Sequence, residues 1–563
     1  MSRLGRVAAA VLVASAMVLG ACGGGSDDSD SGDSGGDAST EGPKSQAGAG
    51  ADQSEGATTG GVLRIGMEAE SDGLNPTTNR FAVAGLQMGN AVFDTLAASD
   101  ADGNPVPYLA ESFTPNADFT EWTVTLRPNV KFHDGTALTA EAIVANITAQ
   151  ANDALVGRAV KPVLAETDFV AATGELTAVV RMRQPSAHFP SYLTGQLGMV
   201  ASPTWLEAAK ANPDLNQKPV GTGPFKFDSR TKDSQTRVVR NDEWWGKGVL
   251  GDGPYLDAIE FYPVVSAARR ADQLVAGELD VLHTTDVPTE TRLEGESSLT
   301  TVSDELGEET FLQMNTEKAP FDDARVREAV VLATSNKSYN DLINEGKLTL
   351  AQSMFHPDLK WADPNITQEY DPAKAKELVA AVCAEKADLC KGGKVTIKYT
   401  YASSPENDRI YEVLSQLWAD VFSVEADPIP QDQFITTTAV GNYQLNLWRQ
   451  FGAPDPDADV VWISCTSIDA ISLNWTRYCD QERETLLDQQ RASNDDAERI
   501  KLWQQIAQNI DAAHTHVFLT HTRWTIAESK QVKNLCGAKG TAGEDLLCLE
   551  NGRFRLSQIW LAS

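Results

Sequence analysis

Residues 122–143 read WTVTLRPNVKFHDGTALTAEAI, and they hold a strand, a turn and a helix in close succession. Residues 122–126 alternate between apolar and polar side chains, which predicts a strand. Residues 131–136 carry Asp-Gly and predict a hairpin-like turn. Thr139 is a suitable N-cap for a helix that begins at the following Ala-Glu-Ala-Ile. Strands and helices alternate in this way along the chain, which predicts a mixed α/β protein.

The stretch upstream of this unit follows the same pattern. Residues 62–67 alternate as a strand, and turn residues at 71–76 break it. Residues 86–96 then predict a helix that packs against a core. From Gly61 onward the chain has about 500 residues, too many for one compact core, so at least two lobes are expected.

Several motifs occur in a fixed order along the chain and together resemble one family. They resemble the signature of the family 5 solute-binding proteins, which are extracytoplasmic receptors of peptide, nickel and related ABC importers. The resemblance covers essentially the whole folded chain. The motifs are LAESF (109–113), WTVTLR (122–127), VKFHDGT (130–136), LTAE (138–141), PVGTGPF (219–225), RN (240–241), WW (244–245), PYLD (254–257), AGELD (276–280), Asn315, FDDARVREA (321–329), YDPAKA (370–375) and VKNL (532–535).

This resemblance implies a two-lobed periplasmic-binding-protein-like α/β fold with two hinge crossovers and an extra insertion subdomain in the first lobe. The first lobe is expected at 62–306, with the insertion at about 97–216. The second lobe is expected at 307–522, and residues 523–563 return to the first. Such a hinge lets ligand binding drive a rigid-body closure that an importer can recognise. No cofactor is implied, and a monomer is expected.

The N-terminus predicts a lipoprotein signal peptide. Two basic residues precede an apolar run at 7–19, which is too short for an ordinary membrane span. Leu19-Gly20-Ala21-Cys22 is a lipobox, so residues 1–21 are predicted to be removed and Cys22 to carry lipid on the extracytoplasmic face of the cell membrane. The alternative is an ordinary secreted protein with a chance cysteine. Residues 22–60 are rich in Gly, Ser and Asp, which predicts a disordered acidic tether.

Charge and cysteine content narrow the class further. The net charge of −32 disfavours nucleic acid and anionic lipid surfaces as partners. If Cys22 carries lipid, six cysteines remain, and an exported location predicts disulfides. Fifteen pairings are possible, and pairing between sequence neighbours is the simplest. A zinc site is the alternative, but no Cys-x2-Cys occurs. The neighbouring pairs are Cys383 with Cys390, Cys465 with Cys479, and Cys536 with Cys548.

Residues 445–457, LNLWRQFGAPDPD, are predicted to run from a strand into a loop that lines the cleft in relatives. Peptide-binding members usually carry an aspartate shortly after this Trp, where it pairs with the α-amino group of the peptide. This chain has Arg449, Gln450, Phe451 and Gly452 instead, so free peptide amines are a poorer choice of ligand.

Arg449 could instead clamp a carboxylate, a phosphate or a sugar hydroxyl. Trp448 and Phe451 offer stacking area. The alternative is that Arg449 is a surface residue and Trp448 belongs to the core.

Two other groups of residues, one acidic and one of histidines, are candidates for binding a cation or a metal ion. Glu70 and Asp72 follow the first strand and could bind a cation, or they could cap the turn. His514, His516 and His521 could suggest a metal, as the family includes nickel receptors. Residues 512–520 instead favour a strand returning to the hinge, so no metal is predicted.

An enzyme is the competing class. Residues 32–36, GDSGG, fit Gly-x-Ser-x-Gly, but they lie in the predicted tether and lack the strand and helix of a nucleophile elbow. The sequence contains no HExxH and no Walker loop. We therefore predict a lipid-anchored receptor that captures an oligopeptide or related small solute and delivers it to a membrane permease. The alternatives are a receptor for a non-peptide solute, such as a sugar, an opine or a metal chelate, and a sensory receptor not coupled to transport.

Overall fold

The computed structural model of the protein describes residues 52–562. The predicted signal peptide, Cys22 and the tether up to residue 51 lie outside the described residues. The strands of the described part are β1 (Val62–Met67), β2 (Ala97–Ser99), β3 (Pro105–Pro107), β4 (Ala110–Pro115), β5 (Glu121–Leu126), β6 (Val170–Ala172), β7 (Thr177–Arg181), β8 (Phe225–Thr231), β9 (Gln235–Arg240), β10 (Ala258–Pro263), β11 (Val281–Thr284), β12 (Leu299–Met314), β13 (Cys390–Lys391), β14 (Lys394–Ala402), β15 (Phe422–Ile429), β16 (Leu445–Gln450), β17 (His516–Ser529), β18 (Val532–Lys533) and β19 (Trp560–Leu561).

Helices connect and cover these strands. The α-helices of the described part are α1 (Val83–Val92), α2 (Ala140–Asn152), α3 (Gly157–Val160), α4 (Phe189–Tyr192), α5 (Pro203–Ala211), α6 (Ala267–Val275), α7 (Val287–Glu294), α8 (Ala324–Ala333), α9 (Asn336–Ile343), α10 (Pro372–Glu385), α11 (Pro405–Leu417), α12 (Gln431–Ala439), α13 (Gln481–Ala492) and α14 (Asp496–Ala512). Short 3-10 helices lie at Gln196–Gly198, Pro213–Gln217, Ala387–Leu389, Pro456–Trp462 and Cys465–Ser467.

One large mixed sheet organises the molecule. Its strand order is β13-β14-β16-β12-β17-β11-β1-β10-β9-β8, and β15 pairs with β14. β1 runs parallel to β10 and β11, whereas β12 and β17 form a long antiparallel pair at the centre. The pairing register of β12 with β17 shifts between Asp304 and Glu308. The predicted lobe boundaries at 306/307 and 522/523 fall inside these two strands.

A second, antiparallel sheet lies within the predicted insertion and has the order β4-β5-β7-β6. Its inward side chains, among them Trp122, Val124 and Leu126, pack with Ile143 of α2 in a core of their own. The predicted strand at 122–126 and the predicted helix start are confirmed by β5 and α2. Thr139 occupies the N-cap position with extended backbone, but its side chain makes no capping hydrogen bond.

The turn at 131–136 is structural. Gly135 has φ +82°, which favours glycine. The Asp134 carboxylate accepts hydrogen bonds from the Thr136 amide (3.0 Å) and from the Ser202 hydroxyl (2.6 Å). The His133 ring nitrogen Nε2 lies 3.0 Å from the Gly223 carbonyl oxygen. The turn therefore fastens the second sheet to the PVGTGPF segment.

The first predicted helix begins and ends earlier than its pattern indicates. It was expected at 86–96 and lies at Val83–Val92. The chain leaves the helix because the buried Asp94 carboxylate accepts hydrogen bonds from the Thr222 hydroxyl and from the indole nitrogens of Trp244 and Trp245. The predicted strand at 62–67 is confirmed by β1.

Defined contacts begin before the predicted start of the folded part. The Gln53 amide donates to the Asn534 side chain (2.9 Å), and the Trp560 indole donates to the Gln53 carbonyl (2.8 Å). Residues 52–60 are thus held against the C-terminal segment, although they were assigned to the tether, because Gln53 finds polar partners there.

Disulfides join the three neighbouring cysteine pairs expected from the sequence, Cys383–Cys390, Cys465–Cys479 and Cys536–Cys548. Within residues 52–562, no helix combines the length and the apolar character that crossing a lipid bilayer requires.

Candidate functional site

Two neighbouring cavities lie beside the central strand pair, with volumes of about 280 Å³ and 210 Å³. They share one wall, which is lined from both sides by Glu68, Ala69, Gln431, Trp448 and Arg449. Glu68 directly follows β1, and Arg449 lies in β16, which is on the other side of the β12–β17 pair. The two cavities are therefore compartments of one cleft between the two parts of the sheet.

The Arg449 guanidinium forms the partition between the compartments. It donates to Glu68 Oε1 and to Thr285 Oγ1, each at 2.8 Å, and its centre lies 4.7 Å from the Trp524 ring centroid. Burial opposes the charged form of Arg449, but Glu68 and Glu308 outweigh burial and hold the pKa of the guanidinium above its ordinary value. The hydrogen bond between Arg449 and Glu68 is therefore a charge-assisted contact across the cleft.

The backbone of Glu68 is held by a neutral histidine. The Glu68 amide donates to His283 Nε2 (2.9 Å), and His283 Nδ1 lies 3.3 Å from the Gly552 carbonyl oxygen. Because Nε2 accepts this hydrogen bond, Nδ1 carries the ring hydrogen in this arrangement. Burial lowers the pKa of His283 to about 4, so the ring stays neutral.

The larger compartment combines aromatic walls with buried charges. Arg80 lies over the Trp462 ring, with 5.5 Å between the guanidinium carbon and the ring centroid. Burial raises the pKa of Asp459 to about 6 despite hydrogen bonds from Ala453 and Gln450, and burial also raises the pKa of Glu308. The aromatic residues of this wall are Phe81, Tyr192, Trp448, Trp462 and Trp475.

The smaller compartment has a tyrosine wall. The rings of Tyr399 and Tyr401 stack with centroids 5.3 Å apart, and Tyr339 lies beside them. Arg409 and Asp286 form an ion pair of 2.9 Å at this compartment. The two compartments therefore differ in chemistry, and the larger one carries more of the charged side chains.

The structure brings three of the four residues proposed from segment 445–457 to the cleft. Trp448, Arg449 and Gln450 line the larger compartment, and the Trp448 indole donates to the Gln450 side chain (3.2 Å). Phe451 points elsewhere. Its φ of +68° turns the ring into a buried aromatic cluster, where it lies 5.3 Å from the Phe311 ring centroid.

Glu70 and Asp72 lie outside both compartments. Glu70 pairs with Arg230 (2.9 Å) and accepts hydrogen bonds from the amides of Ser71 and Asp233, which favours the turn-capping interpretation. Asp72 is exposed, and its carbonyl accepts from Gln217. The acidic residue of this segment that lines the cleft is Glu68.

The three histidines considered for metal binding are separated in the fold. His514 precedes β17, His516 packs in the aromatic cluster of Phe311, and His521 lies 3.4 Å from Glu309. Within the part of the chain that the structure describes, no group of three or more His, Cys, Asp and Glu side chains is arranged to hold a metal ion.

Sequence reasoning did not identify Arg80, Glu308 or Asp459. They come from the loop before α1, from β12 next to its register shift, and from the 3-10 helix at Pro456–Trp462. No local pattern marks them, because they meet only in the folded chain. Asp459 lies two residues beyond the quoted segment, in a run of acids that could have drawn attention to it.

A cleft between two parts of a mixed sheet, crossed by two long strands, defines a binding protein of the two-lobed periplasmic type. Comparison with known proteins identifies the family. Residues 104–470 match the bacterial extracellular solute-binding proteins, family 5 middle, and the chain belongs to this family. The predictions of the family, of the fold class and of a binding protein rather than an enzyme are confirmed.

Individual relatives agree with this assignment. The chain is 30% identical to the glutathione-binding protein GsiB of Shigella flexneri over 48% of this chain and 52% of that protein. It thus spans about half the length of the glutathione-binding relatives it matches. It is 24% identical to di/tripeptide-binding protein 2 of Pseudomonas aeruginosa over 84% of this chain and 91% of that protein.

Solved structures show the same fold. The binding protein DppA of Helicobacter pylori, in complex with the peptide STSA, has a TM-score of 0.77 at 21% identity and covers 90% of this chain and 99% of its own. AgaA of A. tumefaciens R10, in complex with agropinic acid, has a TM-score of 0.78 at 21% identity, with 89% and 99% covered.

Proposed function

We propose that this chain is the solute receptor of an ABC importer. It captures a small solute, an oligopeptide or a related compound, in the two-compartment cleft and delivers it to a membrane permease. The observation that carries this proposal is the cleft itself, which Arg449 and Glu68 close from opposite sides with a 2.8 Å contact. A solute that contacts both sides of this cleft would favour its closed arrangement, and the permease could recognise that arrangement.

Membrane attachment is the second part of the proposal. Lipid on Cys22 holds the receptor, as a monomer, at the extracytoplasmic face beside its permease. Two or more acyl chains make such anchoring stable, and the anchor raises the effective concentration of receptor at the permease. The relatives named above support the solute class, because their names record glutathione and short peptides as ligands.

Uptake by living cells tests transport and anchoring together. A strain lacking the gene is complemented with wild type, with Cys22→Ala and with Ala69→Trp, which fills the wall shared by both compartments. Uptake of labelled glutathione and of labelled alanylphenylalanine is measured. Ala380→Trp places the same ring on an exposed helix position and serves as the matched control.

We expect wild type and Ala380→Trp to restore uptake. Ala69→Trp should abolish it, and Cys22→Ala should release the protein into the medium and reduce uptake. Normal uptake with Ala69→Trp would contradict the cleft as the binding site. Undiminished uptake in the strain without the gene would contradict the transport proposal and favour a sensory receptor.

A further inference from the structure

Most charged side chains that line the larger compartment are neutralised inside the protein. Their ion pairs are Arg449 with Glu68 (2.8 Å), Arg499 with Asp455 (2.7 Å) and Arg553 with Glu550 (2.5 Å). Three charged lining residues remain: Arg80, Glu308 and Asp459. Within residues 52–562, none of these three has an oppositely charged side chain within 4 Å.

The two acids accept hydrogen bonds, but among the described residues neither forms a direct ion pair, and Arg449 attracts Glu308 only from a longer distance. Glu308 is 7% exposed and Asp459 is 4% exposed. Glu308 Oε2 accepts from the Trp524 indole (2.9 Å), and Asp459 Oδ2 accepts from the Ala453 amide (2.9 Å). Both acids line the larger compartment. Burying two carboxylates near each other without a direct ion pair is costly, because each loses its hydration and repels the other.

Arg80 presents the opposite charge to the same cavity. Its guanidinium lies against the Trp462 ring and reaches a single neutral acceptor, Gln196 Oε1, at 3.4 Å. Trp462 ends the 3-10 helix that carries Asp459, so the arginine and the acid lie on two walls of one compartment. Asp459 favours the charged form of Arg80 from a distance, but it forms no ion pair with it.

We propose that the larger compartment takes a zwitterionic ligand whose cationic nitrogen lies at Glu308 and Asp459 and whose carboxylate lies at Arg80. This inference rests on the proposed function and names the ligand chemistry of its cleft. The two acids take the role of an amine-binding aspartate, which residues 449–452 lack. Arg449 remains bound to Glu68 and forms the partition between the two compartments.

Calorimetric titration of the purified full-length protein tests this assignment with four probes. Alanylphenylalanine has both end charges, N-acetyl-alanylphenylalanine lacks the ammonium, and alanylphenylalanine amide lacks the carboxylate. N-acetylarginine carries its cation on the side chain. Comparison of alanylphenylalanine with N-acetylarginine shows whether the site binds an α-amine or a side-chain cation.

We expect alanylphenylalanine or N-acetylarginine to bind, and loss of either end charge to weaken binding about 30-fold or more. Asp459→Asn and Glu308→Gln should each reduce affinity for the cationic probe about 10-fold or more without changing the weak binding of the acetylated dipeptide. Arg80→Gln should remove the preference for a free carboxylate. Asp214→Asn, on an exposed 3-10 helix, is the matched control.

Equal binding of the free and acetylated dipeptides would overturn the proposal, as would Asp459→Asn and Glu308→Gln variants that fold and bind like wild type. Binding of sucrose or succinate but of no cationic probe would overturn it as well. In that case the solute receptor proposal would stand, because uptake by cells tests it separately. Thermal unfolding of each variant confirms that a loss of binding is not a loss of fold.

Discussion

The contact between Arg449 and Glu68 should stabilise the closed arrangement of the two sheet parts by an amount that can be measured. Arg449 makes two hydrogen bonds of 2.8 Å and one ring contact, and Arg449→Ala removes all three. Hydrogen bonds to charged groups contribute about 1.5–3 kcal/mol each. The two side chains are 27% and 22% exposed, so solvent screening favours the lower end of this range.

We therefore expect a coupling energy of about 1.5 kcal/mol between Arg449 and Glu68. The measurement is a double-mutant cycle with Arg449→Ala, Glu68→Gln and the double variant. Urea unfolding of the full-length protein is followed by tryptophan fluorescence. Arg449→Lys keeps the charge but loses the planar fork, so it should retain less than half of the coupling.

The exposed pair Arg183–Glu166 is the matched control. Its atoms are 3.7 Å apart and its side chains are 39% and 79% exposed, so a coupling of about 0–0.5 kcal/mol is expected. If the Arg449–Glu68 coupling is no larger than that of the control pair, the contact does not hold the cleft closed, and the reasoning fails.

Three further predictions concern a buried carboxyl group, a disulfide and two glycines. Burial raises the pKa of Glu290 to about 7 against an ordinary value of 4.5, so the folded state keeps a proton that the unfolded chain has released, and stability falls as pH rises between these values. Glu290→Gln should make the fall in the free energy of unfolding between pH 4.5 and pH 8 smaller by about 3 kcal/mol, measured by urea unfolding at both pH values. An identical fall in wild type and variant would contradict the pKa assigned to Glu290. Replacing both Cys465 and Cys479 by serine opens a loop with a sequence separation of 14 and should lower the free energy of unfolding by about 3 kcal/mol, whereas a change below about 0.5 kcal/mol would show that the bridge does not form. Gly221→Ala would bring a Cβ within 2.2 Å of a backbone carbonyl oxygen and should lower the melting temperature sharply, while Gly135→Ala, with open space around its Cβ, tests the cost of positive φ alone.

The sequence predicted those parts of the fold that depend on local pattern. β1 and β5 alternate clearly, and the helix after Thr139 begins where its cap indicates. Asp94 shows the limit of this approach. Its three hydrogen-bond donors come from residues more than a hundred positions away, so the early end of the first helix has no local signal.

The cleft was predicted less completely for a related reason. Trp448 and Arg449 were found because the strand and loop that carry them resemble those of relatives. For Glu70 the sequence left ligand contact and turn capping open, and its pairing with Arg230 favours turn capping. Glu68, directly after β1, is the acid of this segment that lines the cavities. Phe451 leaves the wall because of one backbone angle, which a pattern of residue types does not encode.

The position of β17 has a consequence for biosynthesis. This strand is the only link in the strand order between β12 and β11 among the described strands, yet it is made from residues 516–529, near the end of the chain. Until those residues emerge, the nascent protein holds two partial sheets with unpaired edges, which are templates for aggregation. A chain cut short before residue 516 lacks the strand that joins the two partial sheets, so both of its unpaired edges stay open.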